Sequence, residues 1–162
     1  MKIVHIIHSL RGGGIQNFIL SLAPEQKKLG HDVSIIVIDN YDSNYCESLE
    51  KKFLDNHVKV YRLNKIRGNK WSLINALYNC RNIIRNINPD VVNTHAGISH
   101  LYGAVTTLGV RAKHIITVHN APECWSMMAK CLNHNKPIIF CSHSAYDLRK
   151  QNSKNMIAID NS

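Results

Sequence analysis

Ile3 to Ile7 form an apolar run of strand length that leads into three consecutive glycines, Gly12-Gly13-Gly14, and beyond them Ile15, Phe18, Ile19 and Leu22 recur at helical spacing. The glycines therefore fall at a strand-to-helix turn. Leu29-Gly30-His31-Asp32 places a glycine just past the last apolar helical position, a helix stop. Pro24 is expected to kink this first helix or leave only its first half regular. Val33 to Asp39 reads as a second buried strand, and a polar turn at Asn40 to Asn44 precedes a helix near Tyr45 to Leu54 and a third strand at Val58 to Leu63. Leu73, Leu77, Cys80, Ile84 and Ile87 fall at alternating spacings of four and three, the apolar face of a helix lying on the sheet. Asn88-Pro89-Asp90 stops it.

Val91 to His95 is the fourth strand, Ser99 to Leu108 a helix ending at Gly109, and His114 to His119 the fifth strand. Pro137 to Cys141 reads as a sixth. Ser144 and Asp147 form a capping box for a helix near Ala145 to Gln151, and Met156 to Ile159 is a last short strand. Near-continuous apolar strands alternating with helices imply an α/β fold, a doubly wound parallel sheet covered on both faces with right-handed crossovers. With 162 residues, 44% of them hydrophobic, the chain can bury one sizeable core but not two domains of this kind.

In such a sheet ligands bind at the carboxyl ends of the strands. That rule singles out His8 and Ser9, Asp39, His95, His119 with Asn120, and Ser142 with His143. Neutral imidazole accepts a hydroxyl proton or donates to developing charge near neutral pH, so histidines at this rim suit hydroxyl-bearing or phosphorylated substrates. Glycines lack Cβ, so backbone N–H groups at the Gly12 to Gly14 turn can meet a ligand directly, and the helix that follows carries its positive dipole end there. The plain alternative is a tight turn that needs positive φ and nothing more.

The formal charge is +9, with Arg62, Lys65, Arg67 and Lys70 clustered at and after the third strand. Such a balance favours anionic partners: acidic lipid headgroups, a phosphorylated substrate, or nucleic acid. Nucleic acid is set aside, because the cluster lacks interleaved aromatics and no DNA- or RNA-binding pattern is visible. No stretch approaches the roughly 18 uninterrupted apolar residues of a membrane span, and the chain starts directly in a strand. A cytoplasmic location is expected, with peripheral attachment to the inner face of the membrane as a further possibility of the basic cluster. The five cysteines are expected as reduced thiols. Cys124, Cys131, His134 and Cys141 have a spacing that matches no common zinc finger, so no metal site is assigned.

Four phrases in order, Gly12-Gly13-Gly14-Ile15-Gln16, Leu29-Gly30-His31-Asp32-Val33, Pro89-Asp90-Val91-Val92-Asn93-Thr94-His95 and Ile116-Thr117-Val118-His119-Asn120, carry a resemblance. The chain resembles the N-terminal domain of the family 4 glycosyltransferases, retaining enzymes of the GT-B fold. The resemblance implies that residues 1–162 are a Rossmann-like acceptor-binding half. A second half, not contained in this chain, would bind the nucleotide sugar, with the chemistry in the cleft between them. The implied partners are a nucleotide-sugar donor and a glycan or lipid-linked acceptor of bacterial surface polysaccharide synthesis, with no cofactor beyond the donor itself. His119 would be the catalytic residue beside the reacting sugar. Gly13, Gly14, Gln16, His95 and Asn120 would bind substrate. Many members of the family have glutamate where Gln16 stands, and Gln16 can hydrogen-bond but not act as a base. The family's donor half carries two glutamates eight positions apart, and Glu25, Glu47, Glu50 and Glu123 include no such pair. Asp160-Asn161-Ser162 looks like the start of the family's linker. The chain alone is therefore expected to be inactive.

Two other readings stand beside this one. Gly12, Gly14 and Asp39 fit the outline of a dinucleotide-binding dehydrogenase domain, although its third glycine falls on Asn17. A non-catalytic binding domain is the other, since fold does not fix function. A P-loop hydrolase is excluded, because no Gly-Lys-Ser/Thr follows the glycines.

Overall fold

The computed structural model of this protein describes residues 1–40, 43–119, 125–141 and 156–159. Seven strands, β1 (Lys2–Ile7), β2 (Asp32–Asp39), β3 (Lys59–Lys65), β4 (Val91–His95), β5 (Lys113–Val118), β6 (Ile138–Phe140) and β7 (Met156–Ala158), form one sheet in the order β3-β2-β1-β4-β5-β6-β7. Every neighbouring pair is parallel. The α/β alternation expected from the apolar runs is the fold observed.

Alternate residues of β1 pack on opposite faces, as strand geometry requires. Ile3 and Ile7 join Val33, Ile35 and Val37 under helices α1 (Gly14–Lys28) and α2 (Asn44–Asp55), which contribute Ile19, Ala23, Leu49 and Phe53. Val4 and Ile6 face the other way, onto α3 (Lys70–Ile87) and α4 (Ile98–Thr106) through Ala76, Cys80, Ile84 and Tyr102. A smaller cluster of Ile116, Val118, Ile138 and Phe140 continues the core under β5 and β6. The strand order reverses between β1 and β4, and there the covering helices change face. That is the switch point at which an open parallel sheet makes a crevice.

Local chemistry explains the helix ends. The Ser43 side chain accepts from the Cys46 N–H, and Asn69 accepts from the Ser72 N–H, each satisfying a donor that the first helical turn leaves unpaired. Asn88 ends α3 in the left-handed region at φ 48°, its N–H donating to Ile84. The expected apolar face of α3 is present, with Cys80 and Ile84 buried and Leu73, Leu77 and Ile87 packed beside them.

Two expectations need correction. Pro24 does not leave only the first half of α1 regular, since the helix runs on through it to Lys28. Proline there removes a single donor toward the Leu20 carbonyl, while Ile19 and Ala23, both fully buried, hold that part of the helix on the sheet. A helix not expected from the pattern, α5 (Met127–Leu132), starts at Ser126, whose side chain accepts from the Ala129 N–H. The expected helix at Ala145 to Gln151, with its capping box, lies outside the described residues.

Candidate functional site

The loop after β1 and the ends of β4 and β5 meet at the switch point. Gly12 and Gly13 adopt φ values of 88° and 142°, a region that side-chain-bearing residues rarely enter. Gly13 is the N-cap of α1 and supplies no side-chain cap, and no acidic residue stands in the first turn. The opening N–H groups of α1 thus have no side-chain cap, at the positive end of the helix dipole, where an anion is favoured. Gln16 braces this turn, its Nε2 donating to the Ser9 carbonyl at 2.7 Å. Gly12, Gly13, Gly14, Gln16, Phe18 and His119 line one open cleft of about 410 Å³.

Behind that cleft runs a line of histidines. His5, in the middle of β1, is 3.0 Å by Nδ1 from His95 Nε2, and His95 Nδ1 is 3.0 Å from His119 Nε2. The inner end is closed by α1, where Gln26 Oε1 lies 2.8 Å from His5 Nε2. Phe18 packs edge-on against His119 with ring centres 5.0 Å apart. His5 and His95 are both fully buried. Burial lowers the pKa of His5, with the Gln26 hydrogen bond opposing it. Burial also holds His95 well below its ordinary value, and the neighbouring His5, His119 and His100 push the same way. Both rings are neutral at physiological pH.

Of the residues expected at the site, Gly13, Gly14, Gln16 and His119 share the cleft. His95 is not among the residues lining it: fully buried, it stands behind His119 as that ring's hydrogen-bond partner. Its register explains this, because His95 pairs with Ile7 and Thr117 inside the ladder. Asn120 lies outside the described residues, as do Ser142 and His143. His5, Gln26 and Phe18 were missed, although a histidine within an apolar strand is itself a signal.

The other strand-end groups are engaged elsewhere. Asp39, 6% exposed, places one carboxylate oxygen 2.9 Å from His8 Nε2 and the other 3.2 Å from Lys65 Nζ. An acidic residue held on both oxygens is poorly placed to take a ribose, which weakens the dinucleotide reading. The basic cluster is also thinner than its sequence suggests. Lys65 is paired with Asp39 and Arg62 with Glu50, leaving Arg67 and Lys70 as the exposed cations of the cluster outside these two pairs.

A second buried polar group lies on the opposite face. Thr94 Oγ1 is 2.9 Å from His100 Nδ1 and 3.0 Å from His114 Nε2. Burial, followed by nearby Lys136 and His100, pushes the His114 pKa down to about 3. Gly103 of α4 fits against this group because it has no Cβ. An added one would press into Thr94 Cγ2 and His114 Nε2 and stand 2.9 Å from His114 Cε1.

A doubly wound half-sheet with a glycine turn at its switch point is the architecture of one half of the GT-B glycosyltransferases. Over 100% of this chain it superposes on 46% of Acinetobacter baumannii MurG with a TM-score of 0.71 at 14% identity. Over 98% it matches 42% of a glycosyltransferase from Rickettsia africae, with a TM-score of 0.73 at 20% identity. Over 100% it matches 44% of Anabaena HepE, solved in complex with UDP, with a TM-score of 0.75 at 14% identity. The chain thus spans a little under half the length of these structures. No curated protein matches it in sequence. The model of Glycosyltransferase Family 4 matches residues 12–123, so the chain belongs to glycosyltransferase family 4.

Proposed function

We propose that this chain is the acceptor-side half of a retaining glycosyltransferase that moves a sugar from a nucleotide-sugar donor to a glycan or lipid-linked acceptor of bacterial surface polysaccharide. The observation that carries this reading is the shared cleft, in which the uncapped start of α1 and the His119 ring face one space. The α1 N–H groups suit the donor's phosphates, and His119 suits a hydroxyl of the transferred sugar or of the acceptor. In a retaining transfer the leaving phosphate and attacking hydroxyl share one face of the sugar, so such positioning contributes directly to rate. The UDP bound to HepE supports a nucleotide-sugar donor. The donor's own pocket and the stabilisation of its departing phosphate belong to a second half beyond these 162 residues. The test is transfer from a panel of nucleotide sugars. The 162 residues alone should show none, and an enzyme carrying both halves should be active. Transfer by the isolated chain would refute this division of labour.

Attachment to an anionic membrane surface is part of the same proposal, on a different footing from the sequence cluster. Among the described residues no helix is long and apolar enough to cross a membrane. However, α3 turns Trp71, Ile74 and Tyr78 outward at 80%, 57% and 64% exposure, beside exposed Arg67 and Lys70. Aromatic and aliphatic side chains flanked by cations suit the headgroup boundary, where each basic residue contributes about 1 kcal/mol. Location at the inner face of the cell membrane follows from that reading.

A further inference from the structure

We infer that Gln26, which is not among the residues lining the cleft, is a positioning residue that fixes which nitrogen of His119 carries the proton. The inference follows the hydrogen bonds outward from the core. An amide oxygen only accepts, so Gln26 Oε1 at 2.8 Å requires the hydrogen of His5 on Nε2. A neutral imidazole has one N–H, and His5 is buried and neutral, so its Nδ1 holds a lone pair. That lone pair accepts from His95 Nε2 at 3.0 Å, which leaves His95 Nδ1 bare. His95 Nδ1 in turn accepts from His119 Nε2, again at 3.0 Å. Three rings are thereby set in one order, each donating through Nε2 and each holding its lone pair on Nδ1. The order starts at Gln26, whose amide oxygen cannot donate.

The consequence at the cleft is chemical selection. A neutral His119 held in this tautomer carries an acceptor at Nδ1, which suits a hydroxyl hydrogen and not a phosphate or carbonyl oxygen. If the amide were turned so that its NH2 met His5, the whole order would reverse and His119 would carry N–H at Nδ1. The proton order stands on the geometry. Its assignment to a sugar hydroxyl rests on the glycosyltransferase reading above, and gives His119 the role of holding that hydroxyl.

The experiment uses the full chain with 15N-labelled histidine and long-range proton–nitrogen correlation near pH 7.5, which reads the tautomer of each ring. The expected result is Nε2–H at His5, His95 and His119. Gln26→Glu, whose carboxylate also only accepts, should keep that order. Gln26→Leu should release it, lowering the tautomer ratio at His119 about tenfold, the size of one hydrogen bond's bias. Two rings separate Gln26 from His119, so a mere packing role for Gln26 would not move the His119 nitrogens. An Nδ1–H tautomer of His119 in the native chain, or a Gln26→Leu spectrum unchanged at His119, overturns the inference. If the leucine variant does not fold, Gln26→Met, which keeps nearly the same length and shape but offers no comparable acceptor, takes its place with the same expected loss at His119 and the same refuting result. No sugar or nucleotide enters this measurement, so its outcome is separate from that of the transfer assay.

Discussion

Gly103→Ala is expected to destabilise the fold, against what helix propensity alone dictates. In an ordinary helix interior, alanine for glycine stabilises by about 0.5–1 kcal/mol. Here the new methyl would press into Thr94 Cγ2 and His114 Nε2, with His114 Cε1 at 2.9 Å. Neither neighbour can swing away cheaply. Both are buried, and the Thr94 hydroxyl holds His100 at 2.9 Å and His114 at 3.0 Å. Overpacking of a tight core costs about 1–3 kcal/mol, and each hydrogen bond broken to relieve it costs about 1 kcal/mol more. Subtracting the propensity gain leaves a net loss of about 2 kcal/mol. Urea denaturation of the chain measures this, with Gly14→Ala as the comparison, since a Cβ there meets nothing within 4 Å. A Gly103→Ala midpoint equal to or above that of the native chain would refute the packing argument, because propensity would then be the larger effect.

Three further outcomes are expected. In an enzyme carrying both halves, His119→Ala should lower kcat at least tenfold, beyond the modest loss of stability expected from leaving the buried His95 Nδ1 unpaired; an unchanged kcat would remove His119 from the proposed role. Stability should fall on acidification from pH 7.5 to 5. His5, His95 and His114 have lowered folded values, so each takes up a proton only on unfolding once the pH drops below its ordinary 6.5. Each costs up to about 1.4 kcal/mol per pH unit, the His114 contribution extending down to about pH 3, and a urea midpoint that rises on acidification would contradict this. Sedimentation with anionic vesicles should drop when Trp71→Ser is combined with neutralised Arg67 and Lys70, and should change little when Arg62 and Lys65 are neutralised instead, because those two already face Glu50 and Asp39.

The strands were legible because parallel strands buried on both faces read as apolar runs, and β4 begins and ends where its run does. The glycine turn and His119 were legible for a related reason, since punctuation after a strand marks the ligand rim. What stayed hidden needs the third dimension. His5 sits inside an apolar run, and its partners Gln26 and His95 are 21 and 90 positions away. His95 read as a rim residue because strand-end position cannot distinguish a side chain at the rim from one sealed behind it. The cluster at Arg62 and Lys65 looked free because Glu50 and Asp39 lie on other elements. Helix α5 is six residues long, too short for a period to show.

The central pairing of β1 with β4 also sets an order of assembly. β1, β2 and β3 are joined by successive short crossovers, so that half of the sheet can zip up locally. Bringing His95 beside His5 means closing a loop across 90 positions, which costs on the order of 4 kcal/mol of chain entropy before any contact repays it. The glycine turn can therefore exist on a partly folded chain, but the histidine line cannot. His119 has its fixed orientation only when β4 lies beside β1 and β5 beside β4, so competence of the cleft waits on a long-range closure of the sheet and not on the glycine turn alone.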